Sequence, residues 1–241
     1  MGIRVNKYIA SSGYCSRRQA DILVEEGHVK VNGVTAVNGT VVEDGQSVTV
    51  DGRDILPEEK KIYIALHKPL GITCTTDRRD PTNIIDYLDM DDRVFPIGRL
   101  DKTSSGLILL TNDGDIVNKL LRAENGHEKE YQVRVDKKIR PGFKEEMESG
   151  VEILGQKTLP CHVEITGTHT FNIILKQGLN RQIRRMCEVL GYRVTRLRRI
   201  RFVNITLGDM KPGERRYLRK DEVSDLIRLC SGSSESSDKP H

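Results

Sequence analysis

The sequence contains no tryptophan, and its 4 phenylalanines and 7 tyrosines are its whole aromatic complement. Its 5 cysteines are an odd number, and no two stand in a Cys-X-X-Cys pair. A disulfide framework and a cysteine-based zinc site both lose support, and no metal ligand set is expected. Isolated cysteines such as Cys15, Cys74, Cys161, Cys187 and Cys230 read as reduced, small apolar residues. No apolar run approaches the ~20 residues of a membrane span, Leu107–Leu110 being typical of the longest. The segment Met1–Asn6 has no apolar signal region, and Asn6 breaks the myristoylation pattern. The expectation is a cytoplasmic protein with no membrane partner.

An excess of one charge is also missing. The 241 residues carry 39 Lys+Arg against 35 Asp+Glu, a formal net charge of +4, with 37% apolar residues. So small an imbalance argues against wholesale disorder, and the length suits one or two domains. The balance is nevertheless uneven. Between Lys176 and Arg201 there are 9 cations, 8 of them arginine, and only Glu188 opposes them, whereas the remainder holds 30 cations and 34 carboxylates. A basic stretch on a slightly acidic body is an electrostatic footprint for a polyanion. Arginine suits bidentate phosphate contacts and stacking on bases. A salt-bridged surface is the alternative, but too few acids lie nearby in sequence to neutralise it.

Residues 1–55 read as a small unit. Val5, Tyr8 and Ile9 fall at helical spacing in Arg4–Ser12, and Gly13 stops that helix. Ser16-Arg17-Arg18-Gln19 forms a capping box for a second helix that Gly27 ends. Short strands follow at His28–Val31, Thr40–Val42 and Ser47–Val50, with turns at Asn32-Gly33 and Asp51-Gly52. Arg17 and Arg18 place positive charge in a first helical turn, where it opposes the macrodipole but can help the helix N-terminus hold a phosphate. Two helices followed by a small sheet, with these residues, resemble an S4-type RNA-binding domain. The resemblance implies RNA contact through Arg4, Lys7, Arg17, Arg18 and Lys30.

Residues 56–61, polar and interrupted by Pro57, read as a linker. From 62 to 230, strand signals at Ile62–Lys68, Leu107–Thr111, Glu130–Val135, Phe171–Leu175 and Phe202–Leu207 mix with helix signals. The helices are expected at Asp115–Ala123, Gly142–Glu148, Arg181–Leu190 and Asp221–Leu229. The order is not a regular strand–helix alternation, so the fold class is α+β with a mixed, mainly antiparallel sheet. The tail, 231–241, is serine-rich and polar, and disorder is expected there.

Four segments could carry chemistry. Lys68-Pro69-Leu70-Gly71 is a turn after a strand. Gly98-Arg99-Leu100-Asp101-Lys102-Thr103-Ser104-Ser105-Gly106 is a small-residue loop anchored by the apolar strand that follows. Its Asp101, flanked by Arg99 and Lys102, could serve as nucleophile or base, or merely cap a turn. Tyr131 shares a strand face with Val133 and Val135, as a core tyrosine or as an aromatic plate for a base. Ile183, Met186, Cys187 and Leu190 form a buried helical stripe, which leaves Arg181, Arg184 and Arg185 off it; Asn180 can cap the helix.

Together, Gly98-Arg99-Leu100-Asp101, the run from Ser105 to Gly114, His127-Glu128-Lys129-Glu130-Tyr131 and Gln177–Glu188 resemble the pseudouridine synthases of the RsuA/RluA superfamily. With the S4-like unit they fit the RsuA branch, and look most like its large-subunit ribosomal RNA pseudouridine synthase F subgroup. The resemblance implies a pseudouridine synthase fold and isomerisation of a uridine in structured RNA without cofactor. It implies that Asp101 is the catalytic carboxylate, that Tyr131 packs on the target base and that Arg184 pairs with Asp101. Arg99 would help extrude the nucleotide or fill the space it leaves, and Lys68, Arg181 and Arg185 would contact substrate or RNA. Position 103 is Thr, where the subgroup usually carries an acidic residue. Ribosomal RNA is the expected partner, with transfer RNA as the alternative substrate. A monomer with no obligate protein partner is expected. A rival reading is a silent RNA-binding factor for ribosome assembly, which would not need Asp101, Tyr131 and Arg184 together.

Overall fold

The computed structural model describes residues 2–58, 60–121 and 126–231. The chain divides into two compact units. The first comprises the residues up to Ile62 with Asp91–Arg93 and Asn112–Gly114, and the second comprises the rest.

The first unit runs β1 (Ile3–Arg4), α1 (Val5–Ser11), α2 (Arg17–Glu25), β2 (Val29–Val31), β3 (Val34–Thr35), β4 (Val41–Val42), β5 (Val48–Val50) and β6 (Arg53–Ile55). The helices form where the sequence signals them. Ser16 Oγ accepts from Gln19 N at 3.2 Å, which satisfies a first-turn donor of α2. The β2–β3 and β5–β6 hairpins turn at Asn32-Gly33 and Asp51-Gly52, all four residues with positive φ, as tight hairpins require. A four-stranded sheet in the order β3-β2-β5-β6 packs Val29, Val31, Val48 and Val50 with Val5, Ile9, Ala20 and Val24 of the helices into one core.

The second unit contains β7 (Tyr63–Lys68), α3 (Ile84–Leu88), β8 (Phe95–Ile97), β9 (Ser105–Thr111), α4 (Gly114–Leu121), β10 (Lys129–Val135), α5 (Phe143–Glu148), β11 (Glu152–Ile153), β12 (Gln156–Lys157), β13 (His162–Gly167), β14 (Thr170–Leu175), α6 (Gln182–Val189), β15 (Val194–Phe202), β16 (Ile205–Thr206), β17 (Arg215–Tyr217) and α7 (Lys220–Ser231). Its main sheet has the order β13-β14-β10-β15-β9-β7-β17, with β16 on β15 and β8 on β9. Every pairing is antiparallel except β15 with β9, so the sheet is mixed and mainly antiparallel. β7, and β9 from Gly106 onward, are buried on both faces, which explains their apolar runs.

The single parallel joint depends on Gly106. Its Cα is in register with Arg199, its φ is +108°, and a Cβ there would overlap the Arg199 backbone. Only glycine lets the two strands meet. On the β10–β14 side of that joint, Val133, Val135, Phe171 and Ile173 pack against Phe143 and Met147 of α5 and Ile183, Met186 and Cys187 of α6. The stripe foreseen on α6 is therefore the buried one.

Several local expectations need correction. The strand expected at Phe202–Leu207 is only the end of β15 and the short β16. The missed portion, Val194–Arg201, is a central strand, and its arginines had obscured the strand pattern. Asn180 does not cap α6: Arg181 occupies that position with φ 51° and no side-chain cap bond is made. Asn83, by contrast, caps the unforeseen α3 by accepting from Asp86 N at 2.8 Å. The helix expected to reach Ala123 is described as far as Leu121 in α4, its last two residues lying outside the described residues. Position 59 of the expected linker and the tail from 232 onward also lie outside them; Ser231 closes α7. Among the described residues no helix is long and apolar enough to cross a membrane.

Candidate active site

Asp101 sits in the loop between β8 and β9, and that loop is pinned at successive residues. Leu100 N donates to Cys74 Sγ at 3.3 Å, Gly71 N to Lys102 O at 2.9 Å, and Ser104 N to Asp101 O at 2.9 Å. Lys68 supports the arrangement from below. Its Nζ donates to Pro69 O and Ile72 O at 2.9 and 2.8 Å, closing the turn whose Gly71 holds Lys102. Burial pushes the Lys68 ammonium down from its ordinary pKa, against the pull of Cys74 and Asp101. Lys68 is 0% exposed, so the expected contact with RNA is corrected: an ammonium sealed under the turn cannot meet a phosphate.

The carboxylate of Asp101 is addressed by two arginines from the start of α6. Arg181 Nη1 lies 3.5 Å and Arg184 Nε 3.6 Å from Asp101 Oδ2. Both distances are long for hydrogen bonds and describe ion pairs. Arg184 spends its other donors on the loop and on β15: Nη2 reaches Thr103 O at 2.9 Å and Ser104 Oγ at 3.2 Å, and Nη1 reaches Val194 O at 3.2 Å. Burial and the neighbouring Arg181 push the Arg184 pKa down while Asp101 pulls it up; a guanidinium stays charged regardless. Asp101 Oδ1 takes no hydrogen bond among the described residues. Thr103 contributes its backbone carbonyl, so that bond does not depend on the side chain at 103.

Tyr131 lies on β10, in register with Ile173 on one side and Arg199 on the other. It packs partly against the core and also lines a cavity of about 250 Å³. The core reading thus accounts for part of the ring, and the rest faces the cavity. The cavity is slightly smaller than the range for small-molecule sites (~300–1,000 Å³). Asp101, Arg99, Lys129, Lys176, Arg181 and Arg199 supply its charge, so one carboxylate faces five cations. Leu175, Leu179, Ile183, Leu197 and Phe202 supply its apolar wall.

The structure therefore brings Asp101, Tyr131, Arg99 and Arg181 to one cavity, with Arg184 behind the carboxylate. Arg185 is turned back on its own helix start, donating to Asn180 O and Oδ1 at 3.1 and 3.3 Å. The basic stretch is less free than its sequence neighbours imply. Arg201 pairs with Glu128 at 3.0 Å and Glu130 at 2.9 Å, Arg198 donates to Gln132 Oε1 at 2.6 Å, and Arg199 is 2% exposed. These partners come from β10 and the residue just before it, far away in sequence. Arg199 and Lys129 are cavity residues that sequence reasoning did not single out: Arg199 lies in the basic stretch whose strand character was obscured, and Lys129 stands two residues before Tyr131 on β10. In the first unit, Arg4, Arg17, Arg18 and Lys30 are exposed and Lys7 is half-buried. No acidic residue occupies the first turn of α2 to offset its two arginines.

Residues 62–189 match the model of the RNA pseudouridylate synthase family, and residues 3–48 match the S4 domain. The chain is 52% identical over 233 residues to the dual-specificity RNA pseudouridine synthase RluF of Salmonella typhi, covering 96% of this chain and 81% of that protein. It is 35% identical over 237 residues to ribosomal large subunit pseudouridine synthase B of Bacillus subtilis, covering 94% and 96%. A crystal structure of a pseudouridylate synthase superposes with a TM-score of 0.69 at 26% identity, covering 93% of this chain and 99% of that one.

Proposed function

The chain belongs to the RNA pseudouridylate synthase family, and on that premise we propose that it converts a specific uridine of ribosomal RNA to pseudouridine, with Asp101 as the reacting carboxylate. The observation that carries the assignment is the placement of Asp101 at one cavity with Tyr131, its Oδ2 toward Arg181 and Arg184. Oδ1 is left to meet the substrate. The N1–C1′ bond breaks and its electron pair stays on uracil. Asp101 either bonds C1′ and is expelled when C5 attacks that carbon, or takes the C2′ proton and returns it as C5 bonds C1′. The base turns over, C5 bonds C1′, and the C5 proton is lost while N1 gains one. All atoms are conserved and no redox change occurs, so no external group is required.

Each remaining part has a place in that sequence. The base must leave its stack, which costs a few kcal/mol and favours a loop or bulge as the target. Arg99 is exposed at the cavity and suits the space the base vacates. Tyr131 offers its ring to the base and its hydroxyl to the proton transfer. Arg184 holds the loop at Thr103 and Ser104, so Asp101 is presented without rearrangement. In the first unit, Arg4, Lys7, Arg17, Arg18 and Lys30 hold the RNA backbone. The enzyme acts in the cytoplasm as a monomer.

A second RNA class is also proposed, because relatives at 51–52% identity are named dual-specificity synthases; transfer RNA is the candidate. The test is carbodiimide mapping of pseudouridine in ribosomal and transfer RNA from cells with the protein, without it, and with Asp101→Asn. At least one ribosomal site should depend on the protein and be lost in Asp101→Asn, while that variant still binds RNA. Full modification by Asp101→Asn would overturn the assignment.

A further inference from the structure

Arg199 is a cavity residue whose chemistry the proposed reaction leaves unused. It lies on β15 in register with Tyr131 of β10, and with Gly106 of β9 on its other side. Its side chain is buried, and no carboxylate forms an ion pair with it among the described residues. Nε donates to Leu107 O at 2.7 Å, and the guanidinium carbon sits 5.2 Å from the centroid of the Phe202 ring. Nη2 is buried and has no hydrogen-bond partner among the described residues. A buried charge without a counter-ion, one of whose donors is unmet, is costly to keep for packing alone. An orphaned buried donor calls for an explanation, and a ligand group that completes its bonding supplies one.

We propose that Arg199 donates to a carbonyl oxygen of the flipped uracil and stabilises the negative charge the base carries after its N1–C1′ bond breaks. This rests on the isomerisation proposed at Asp101. Cleavage leaves the electron pair on N1, and resonance spreads the charge to O2 and O4. A guanidinium fixed in a low-dielectric cavity acts more strongly on that anion than on the neutral base of the bound substrate, which is the condition for lowering the barrier. Lys129, also on the cavity and within electrostatic reach of Arg199, adds to the same positive wall. A backbone phosphate is a poor fit to Arg199, because the residue is 2% exposed whereas Arg99, Lys176 and Arg181 stand exposed around the same cavity. The ligand group at Arg199 is therefore part of a base.

The test uses the full chain and a stem-loop RNA spanning the uridine that the mapping identifies. The RNA is made with uridine, 2-thiouridine or 4-thiouridine at that position. Single-turnover rates and RNA affinities are measured for the wild type, Arg199→Lys and Arg199→Met. Both variants are expected to bind the uridine RNA within about twofold of wild type and to react about 100-fold more slowly, the usual consequence of losing one preorganised donor. Sulfur accepts hydrogen bonds weakly, so one of the two thio substitutions should slow the wild type about tenfold and leave the variants almost unaffected. That non-additivity marks a direct contact. If wild type and variants respond alike to both substitutions, Arg199 is a packing residue and the proposal is overturned. If neither variant folds, indifference of the wild type to sulfur at both positions overturns it as well, and sensitivity at one position supports it. Failure of the wild type to modify the uridine RNA would instead remove the assignment at Asp101, so the two failures are distinguishable.

Discussion

Arg184 Nε faces Asp101 Oδ2 at 3.6 Å while the same guanidinium donates to the backbone of Thr103 and the hydroxyl of Ser104. One side chain thus serves as counter-ion and as clamp. Asp101 is held in place by the residues two and three positions after it, and a change in Arg184 moves the carboxylate as well as its electrostatics. Arg181 approaches the same oxygen from a half-exposed position and makes no bond to the loop backbone.

The two arginines should therefore separate experimentally. Arg184→Lys keeps a charge but cannot fork to three acceptors. A displacement of about 1 Å in a reacting group costs on the order of 100-fold, and that is the expected loss in single-turnover rate, with RNA affinity nearly unchanged. Arg181→Lys should lose about tenfold or less, because its ion pair is exposed and flexible. A larger loss at Arg181 than at Arg184 would show that the clamp is not what matters.

Gly106 tests the joint between the two halves of the sheet. Gly106→Ala puts a methyl group into the Arg199 backbone at a φ of +108°. The combination of strain and overpacking should cost on the order of 3 kcal/mol. For a chain of this size that lowers the melting temperature by roughly 6–12 °C. An unchanged transition by calorimetry would mean that β9 and β15 can part without consequence.

How far the sequence reveals this molecule depends on where the determining contacts lie. The α2 cap and the buried stripe of α6 are decided within a few residues, and both are visible in the sequence. β15 was hidden because Val194-Thr195-Arg196-Leu197-Arg198-Arg199-Ile200-Arg201-Phe202 reads as a basic run. Its strand character depends on Glu128, Glu130 and Gln132 across the β10 pairing and on the carbonyl of Leu107. Asp101 was legible through the motif around it, and Arg184 through the family resemblance. The second arginine on Asp101 was not, since a left-handed backbone at Arg181 aims that side chain and nothing local announces it. Lys68 shows the opposite error: a cation beside a glycine turn looks available for RNA, yet two carbonyls and full burial claim it.

The first unit's role is open to a salt titration. If Arg17 and Arg18 each hold a phosphate, Arg17→Gln with Arg18→Gln should weaken RNA binding and lower the slope of log K against log salt by about 2. The single-turnover rate at saturating enzyme should stay at the wild-type value. A slope equal to wild type would remove both residues from the RNA interface.

The acid limb of stability should report Glu222. Arg216 grips its carboxylate with two bonds of 2.7 and 2.8 Å, and Arg219 N adds a third at 2.9 Å, tying α7 to the strand β17. The Arg216 bonds hold the Glu222 pKa below its ordinary value, with the Arg219 amide adding to them against the effect of burial. The folded pKa lies below the unfolded one, so the folded state is favoured by this group above the unfolded carboxylate value of about 4.3. That contribution is lost as pH falls through the lower folded pKa. Glu222→Gln removes the charge at every pH and should cost about 1.5–3 kcal/mol near neutrality, the range for hydrogen bonds to a charged group. Its deficit against wild type should shrink steadily below pH 4.3 in denaturant titrations. A deficit independent of pH down to 3 would mean that shape, not the carboxylate charge, is what α7 needs at this position.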